Sequence, residues 1–212
     1  GRDGRASRRH VEHYRRRAAG GAGLVIVEPL YVDPLGREHP KQLGASSDDV
    51  IAGLREVVAG VHDHGALAFA HINHAGRAAN PKLVPDGARL SASGVPCPAN
   101  GVTPRPLSHA EIAEVVTAFG NAARRVEDAG FDALEIPFSH GYLIHQFLSP
   151  HTNRRDDDYG GTFDNRLRFG REIIEAVRRA VRIPVTVKFR SGIKGARLSY
   201  LDLGRICEEA GV

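Results

Sequence analysis

The sequence predicts an α/β fold organised as part of a (β/α)8 (TIM) barrel. Short apolar, β-branched runs alternate with segments of helical periodicity, and polar residues gather directly after each run. Neither G-x-G-x-x-G nor G-x-x-x-x-G-K-[ST] follows the first run. The alternation calls for parallel strands joined by crossover helices. The missing glycine pattern removes support for a dinucleotide-binding sheet or a P-loop. Polar residues at C-terminal strand ends are where a barrel places its active site.

The elements follow in order. A helix over 8–19 stops at Gly20-Gly21. Leu24-Val25-Ile26-Val27 has the continuous apolar character of a buried parallel strand. Val50, Ile51, Leu54, Val57, Val58 and Val61 give 48–64 a helical period, and 66–72 is the second strand. Residues 73–106 are rich in Pro, Gly and Ala without a sustained period, and a loop of that length is usually functional. Ser108 and Glu111 form a capping box that opens a helix running to Ala129, ended by Gly130. A strand at 133–136, a helix at 165–181, a strand at 185–189 behind Pro184 and the start of a helix at 201–210 complete the pattern. Four strands make half a barrel and cannot close a sheet. Residues 1–212 are therefore expected to be one partial barrel domain, with the first strand and the C-terminal strands lying outside it. The absence of any Met agrees with a piece of a longer protein.

Composition narrows the function classes. With 42% hydrophobic and 25% charged residues the chain is ordinary globular material, which excludes disordered, collagen-like and coiled-coil classes. No apolar run reaches membrane-span length, and the N-terminal residues lack the apolar core of a signal peptide. The two cysteines, Cys97 and Cys207, are too far apart for a zinc ribbon or disulfide framework. A cytoplasmic protein is the expectation. The net charge of +4 suits an anionic ligand but is too dispersed to argue for nucleic acid. The densest basic stretch, Arg8, Arg9 and Arg15 to Arg17, reads as a solvated helix face.

Chemistry concentrates at 139–150, SHGYLIHQFLSP, which sets His140, Tyr142 and His145 just beyond a strand. A histidine can donate to a substrate oxygen and a tyrosine hydroxyl can deliver a proton. The H-x4-H spacing lacks the Glu of a zinc helix, so no metal is expected.

HGYLIHQFLSP followed by NRRDDDYGGTFDNRLRF at 153–169, together with HAGR at 74–77 and RAAGGAGLVIVE at 17–28, resembles the Old Yellow Enzyme family of flavin-dependent ene-reductases. The blocks lie in the family's order and cover essentially the whole chain. The resemblance implies an FMN-containing barrel in which NADH or NADPH reduces the flavin, and an activated alkene then takes hydride at its β-carbon. It makes Tyr142 the proton donor to the α-carbon and His140 a grip on the substrate carbonyl. It implies a small-molecule substrate, no nucleic acid and no membrane, and leaves homo-oligomerisation open. Some members, such as dienoyl-CoA reductases and trimethylamine dehydrogenase, carry an iron–sulfur cluster in a C-terminal extension, whose ligands would lie beyond Val212. The 153–169 block and Arg77 read as structural rather than catalytic.

The departures from the family pattern fall at ligand-facing positions. Pro137 stands where a second carbonyl donor is usual, and a lost donor of this kind costs on the order of 3 kcal/mol. Pro29 occupies a position whose backbone commonly faces the flavin pyrimidine edge, and proline has no N–H. His71 replaces a glutamine that pairs with the same edge. Lys188 replaces an arginine near flavin N1 and O2, keeping the charge and losing the fork, with Arg190 as a partial substitute. Pro29, His71 and Lys188 are thus the expected cofactor contacts. Two readings follow: a working reductase tuned to an unusual substrate, or a flavin-free or redox-neutral scaffold. A third comes from PVTVKFR at 184–190, which is similar to a stretch of the flavin-dependent tRNA dihydrouridine synthases.

Overall fold

The computed structural model describes residues 3–85, 87–191 and 200–212. Helix α1 (Arg8–Ala19) leads into strand β1 (Leu24–Tyr31), α2 (Ile51–His62) into β2 (Leu67–Asn73), and α3 (His109–Asp128) into β5 (Ala133–Pro137). After α4 (Leu143–Leu148) and α5 (Phe163–Ala180) come β6 (Val185–Lys188) and α6 (Tyr200–Glu209). The two short strands between, β3 (Leu90–Ser91) and β4 (Arg105–Pro106), pair only with each other. The main sheet has the order β1-β2-β5-β6 with every pairing parallel. It is an arc of consecutive β/α units, as the alternation predicts.

Two of the long helices start at side-chain caps. Ser108 Oγ accepts from the Glu111 N–H at 3.3 Å while the Glu111 carboxylate accepts from the Ser108 N–H at 2.9 Å, closing the capping box of α3. Thr162 Oγ1 accepts from the Asn165 N–H at 3.3 Å, so α5 starts two residues before the expected position. On α1 the basic stretch is a solvated face, with Arg15 and Arg16 both paired to Glu12.

The core lies between the sheet and its helices. Val25 and Val27 point into it from β1, and α3 packs on α5 with Phe119, Phe169 and Ile173 fully buried. The opposite sheet face would be the barrel lumen, and there Leu24 and Ile26 are 41% and 42% exposed. This alternation assigns the two faces. No helix among the described residues is long and apolar enough to cross a membrane.

The structure refines three readings. Within 139–150, Leu143, Ile144, Phe147 and Leu148 bury one face of a short helix, α4. The 73–106 loop is organised by a 3-10 turn at Gly76–Ala78 and the β3/β4 pair. The fourth strand ends at Lys188, so Arg190 lies beyond it and strand parity does not govern its direction.

Candidate active site

The site is built along the C-terminal edge of the sheet. A register shift in β1 between Ile26 and Pro29 brings Pro29 opposite His71. The bulge accommodates a residue that cannot donate to the ladder. His71 pairs in turn with Glu135, and Glu135 with Thr186. One row of side chains therefore crosses all four strands: Pro29, His71, Glu135, Thr186. In the next row Pro137 stands beside Lys188.

Within the row, His71 Nδ1 and Glu135 Oε1 share a hydrogen bond at 2.7 Å. His71 is buried, and its Nε2 has no hydrogen-bond partner among the described residues. Glu135 is held below the usual carboxylate range, first by that bond and then, against partial desolvation, by the charges of His71, Lys188 and His140. Pro29 offers no N–H, and its carbonyl accepts from Gln42 Nε2 at 2.8 Å. Glu28, one residue earlier, is turned to a tie with the Leu43 N–H and the Tyr14 hydroxyl.

Above the row sits the turn after β5. His140 adopts the left-handed backbone region at φ +62°, followed by Gly141 at +78°. Its Nδ1 lies 3.0 Å from Ser139 Oγ. Burial lowers the His140 pKa, as do the nearby charges of Lys188, His71 and Arg190, while Glu135 opposes them. A neutral His140 at pH 7 keeps one ring N–H for a ligand oxygen. Tyr142 is the N-cap residue of α4, half-buried, with its hydroxyl donating to Glu38 Oε2 at 2.9 Å. Burial, the Glu38 charge and that hydrogen bond push the Tyr142 hydroxyl well above the ordinary tyrosine range.

A buried amide locks the turn in place. Gln146 Nε2 donates to the carbonyls of Ala75 and Gly141, while its Oε1 accepts from the Arg77 N–H and Ser91 Oγ. Gly76 has no Cβ because one would meet Gln146 Oε1 at 2.3 Å. Arg77 reaches the carbonyls of Val95 and Pro96, anchoring the loop after β2 as its structural reading predicts. In the 153–169 block, Asn153 bonds the carbonyls of Phe147 and Tyr159, and Arg155 those of Ala92 and Leu107, which is again structural.

Tyr142, His140, Pro29, His71 and Lys188 all lie at this one edge. Sequence reasoning missed Glu38, Glu135, Gln42 and Gln146. Glu135 carried a signal, a charged residue inside the apolar run Ala133-Leu134-Glu135-Ile136 with the parity of the open face. Among the described residues no group of three or more His, Cys, Asp or Glu is arranged to hold a metal.

Comparison with known proteins gives consistent matches. Residues 2–199 match the model of the NADH:flavin oxidoreductase / NADH oxidase family. The chain is 40% identical over 217 residues to an NADH oxidase of Thermoanaerobacter brockii, covering 99% of this chain and 33% of that protein. It is 44% identical over 186 residues to an NADPH dehydrogenase of Geobacillus sp. (strain WCH70), covering 88% of this chain and 54% of the relative. The chain thus spans about half or less of the curated relatives it matches. A 2-naphthoyl-CoA reductase in complex with 2-naphthoyl-CoA superposes with a TM-score of 0.91 at 28% identity, over 98% of this chain and 34% of that one. Morphinone reductase in complex with tetrahydroNAD gives 0.78 at 31% identity, over 87% of this chain and 56% of that one.

Proposed function

Because the chain belongs to the NADH:flavin oxidoreductase / NADH oxidase family, we propose that its protein is an FMN-dependent oxidoreductase in which NADH or NADPH serves to reduce an activated carbon–carbon double bond. The observation that carries this reading is the buried, unpartnered Nε2 of His71 in a row flanked by Lys188 and overhung by His140 and Tyr142. A buried polar atom without a partner is costly unless a ligand satisfies it. The donor set fits a flavin's polar pyrimidine edge: His71 offers a ring nitrogen and Lys188 a cation for its anionic reduced form. Pro29 gives shape and the second lone pair of a carbonyl that already accepts from Gln42.

When bound, the flavin supplies hydride to the substrate, and the protein supplies position and protons. His140 donates to a carbonyl oxygen and stabilises enolate-like charge. Tyr142 delivers the proton at the α-carbon. The substrate class is a small unsaturated carbonyl compound, in keeping with the named neighbours, a 2-naphthoyl-CoA reductase and morphinone reductase. No nucleic-acid partner is part of this reading.

A flavin-free scaffold is the second reading, favoured by Pro29 having no N–H to offer and by Pro137 lacking a side-chain donor. The visible spectrum of the purified full-length protein, before and after anaerobic addition of NADH or NADPH, decides between them. A flavin band that bleaches supports the reductase. A protein that stays colourless after FMN is added overturns it.

A further inference from the structure

We propose that Asn73 is a specificity-determining residue whose side-chain amide donates to a second oxygen of the substrate, apart from the carbonyl that His140 grips. The proposal rests on the reading of the site as that of an ene-reductase. Asn73 is 2% exposed, and its Nδ2 has no hydrogen-bond partner among the described residues. A buried amide left bare costs free energy that an apolar side chain of similar size would not, so the group fits a ligand that satisfies it.

The strand fixes where the amide points. Ala68, Ala70 and Ile72 of β2 are fully buried in the core. Leu67 and His71 take the alternate direction, and Asn73 shares their parity. It therefore faces the open side of the sheet, as His71 does. The end of the strand is held on both flanks. The Asn73 carbonyl accepts from the Val32 N–H at 3.0 Å, and the neighbouring His74 carbonyl accepts from the Leu143 N–H at 3.0 Å. The chain leaving β1 and the turn after β5 thus converge on Asn73.

Its level in the sheet separates it from the flavin contacts. Two residues of strand advance about 6.6 Å, so Asn73 lies beyond His71, toward the turn that carries His140 and Tyr142. On β5 the same two-residue step from Glu135, which pairs with His71, leads to Pro137. Pro137 has no side-chain donor, and Lys188 stands beside it. From β2 to β6 the polar side chains at this level are therefore Asn73 and Lys188. Neighbouring strands stand about 4.8 Å apart. A carbonyl gripped above β5 by His140 leaves the amide on β2 to an adjoining part of the same ligand.

A substrate with a single carbonyl leaves Nδ2 as bare as it is in the free site. One with a further oxygen pairs with it, and the gap between the two is a difference in transition-state binding. The preferred substrate is thus an unsaturated carbonyl compound with a second acceptor, such as an enedione.

The test uses the full-length protein and a matched pair, 2,6,6-trimethylcyclohex-2-enone and its 4-oxo derivative. The two differ in intrinsic reactivity, so the quantity read is their kcat/KM ratio in each protein. Asn73→Leu is expected to lower the preference for the dione about tenfold, with the loss falling on the dione. Asn73→Asp, which keeps the shape and loses the N–H donors, is expected to lower it as well. Without flavin, Asn73→Leu is expected to unfold at or above the wild-type Tm, since it removes an unpaired buried amide. FMN affinity, read by fluorescence titration, is expected to stay close to wild type. An unchanged ratio in both variants overturns the proposal: a drop in Tm then makes Asn73 structural, and a loss of FMN affinity makes it a flavin contact. Equal slowing of both compounds, with Tm and FMN affinity kept, assigns the amide to the carbonyl that His140 holds and likewise overturns it. A wild-type protein whose flavin never bleaches with NADH or NADPH fails the underlying reading and takes the proposal with it.

Discussion

His71 on β2 and Glu135 on β5 stand directly opposite each other, joined Nδ1 to Oε1 at 2.7 Å with only 9% and 13% of their side chains exposed. An ionised carboxylate accepts only, so the bond places a proton on Nδ1, and Nε2 is the ring nitrogen left to face a ligand. Glu135 thus determines what His71 offers to the open face.

That pair predicts a pH dependence of stability. The Glu135 carboxyl is depressed in the folded state, so its stabilisation is present at neutral pH and lost as pH falls through the folded value. Glu135→Gln is expected to cost about 1–2 kcal/mol at pH 7. The difference from wild type shrinks in acid. Denaturant unfolding of both proteins at neutral and acidic pH measures this, and an equal cost at both contradicts the assignment.

Tyr142→Phe is expected to slow substrate reduction roughly 10²- to 10⁴-fold, the range a general acid supplies. Flavin reduction by NADH or NADPH should change far less. Stopped-flow measurement of each half-reaction separates the two, and equal losses would remove Tyr142 from the proton-donor role.

Pro137 sits beside Lys188 in register, at the end of β5 just below the His140 turn. Pro137→His places a donor there and is expected to raise kcat/KM for simple enones roughly tenfold or more. No gain in steady-state turnover would mean that the second carbonyl donor comes from elsewhere or that the substrate is not an enone.

Gly36 packs face-on against the buried His74 ring, where a Cβ would lie 2.6 Å from Cγ. His74 has nowhere to retreat: its Nδ1 accepts from the Gly76 N–H, and burial lowers its pKa to about 4. Gly36→Ala is expected to destabilise the protein by about 1–3 kcal/mol. A fall in Tm of a few degrees checks it.

The barrel arc was legible because its determinants are local. Leu24 to Val27 and Ala133 to Ile136 announce strands by composition, and Ser108 with Glu111 announces a helix start by spacing. The contacts of Tyr142 were not legible, because Glu38 is 104 positions away and no spacing rule links two loops that meet only once the sheet is formed. Helix α4 was hidden for a different reason: it is only six residues long, and His145 and Gln146 interrupt its apolar period.

The register shift between Ile26 and Pro29 acts as a change of phase in β1. Before it, even-numbered residues look into the open face; after it, odd-numbered ones do. Were the pairing regular through this point, Glu28 would stand opposite His71, and Tyr14 and Leu43 would lose the carboxylate that ties them down. The single extra residue in β1, rather than the side chain at any one position, therefore decides which column of the strand faces the site.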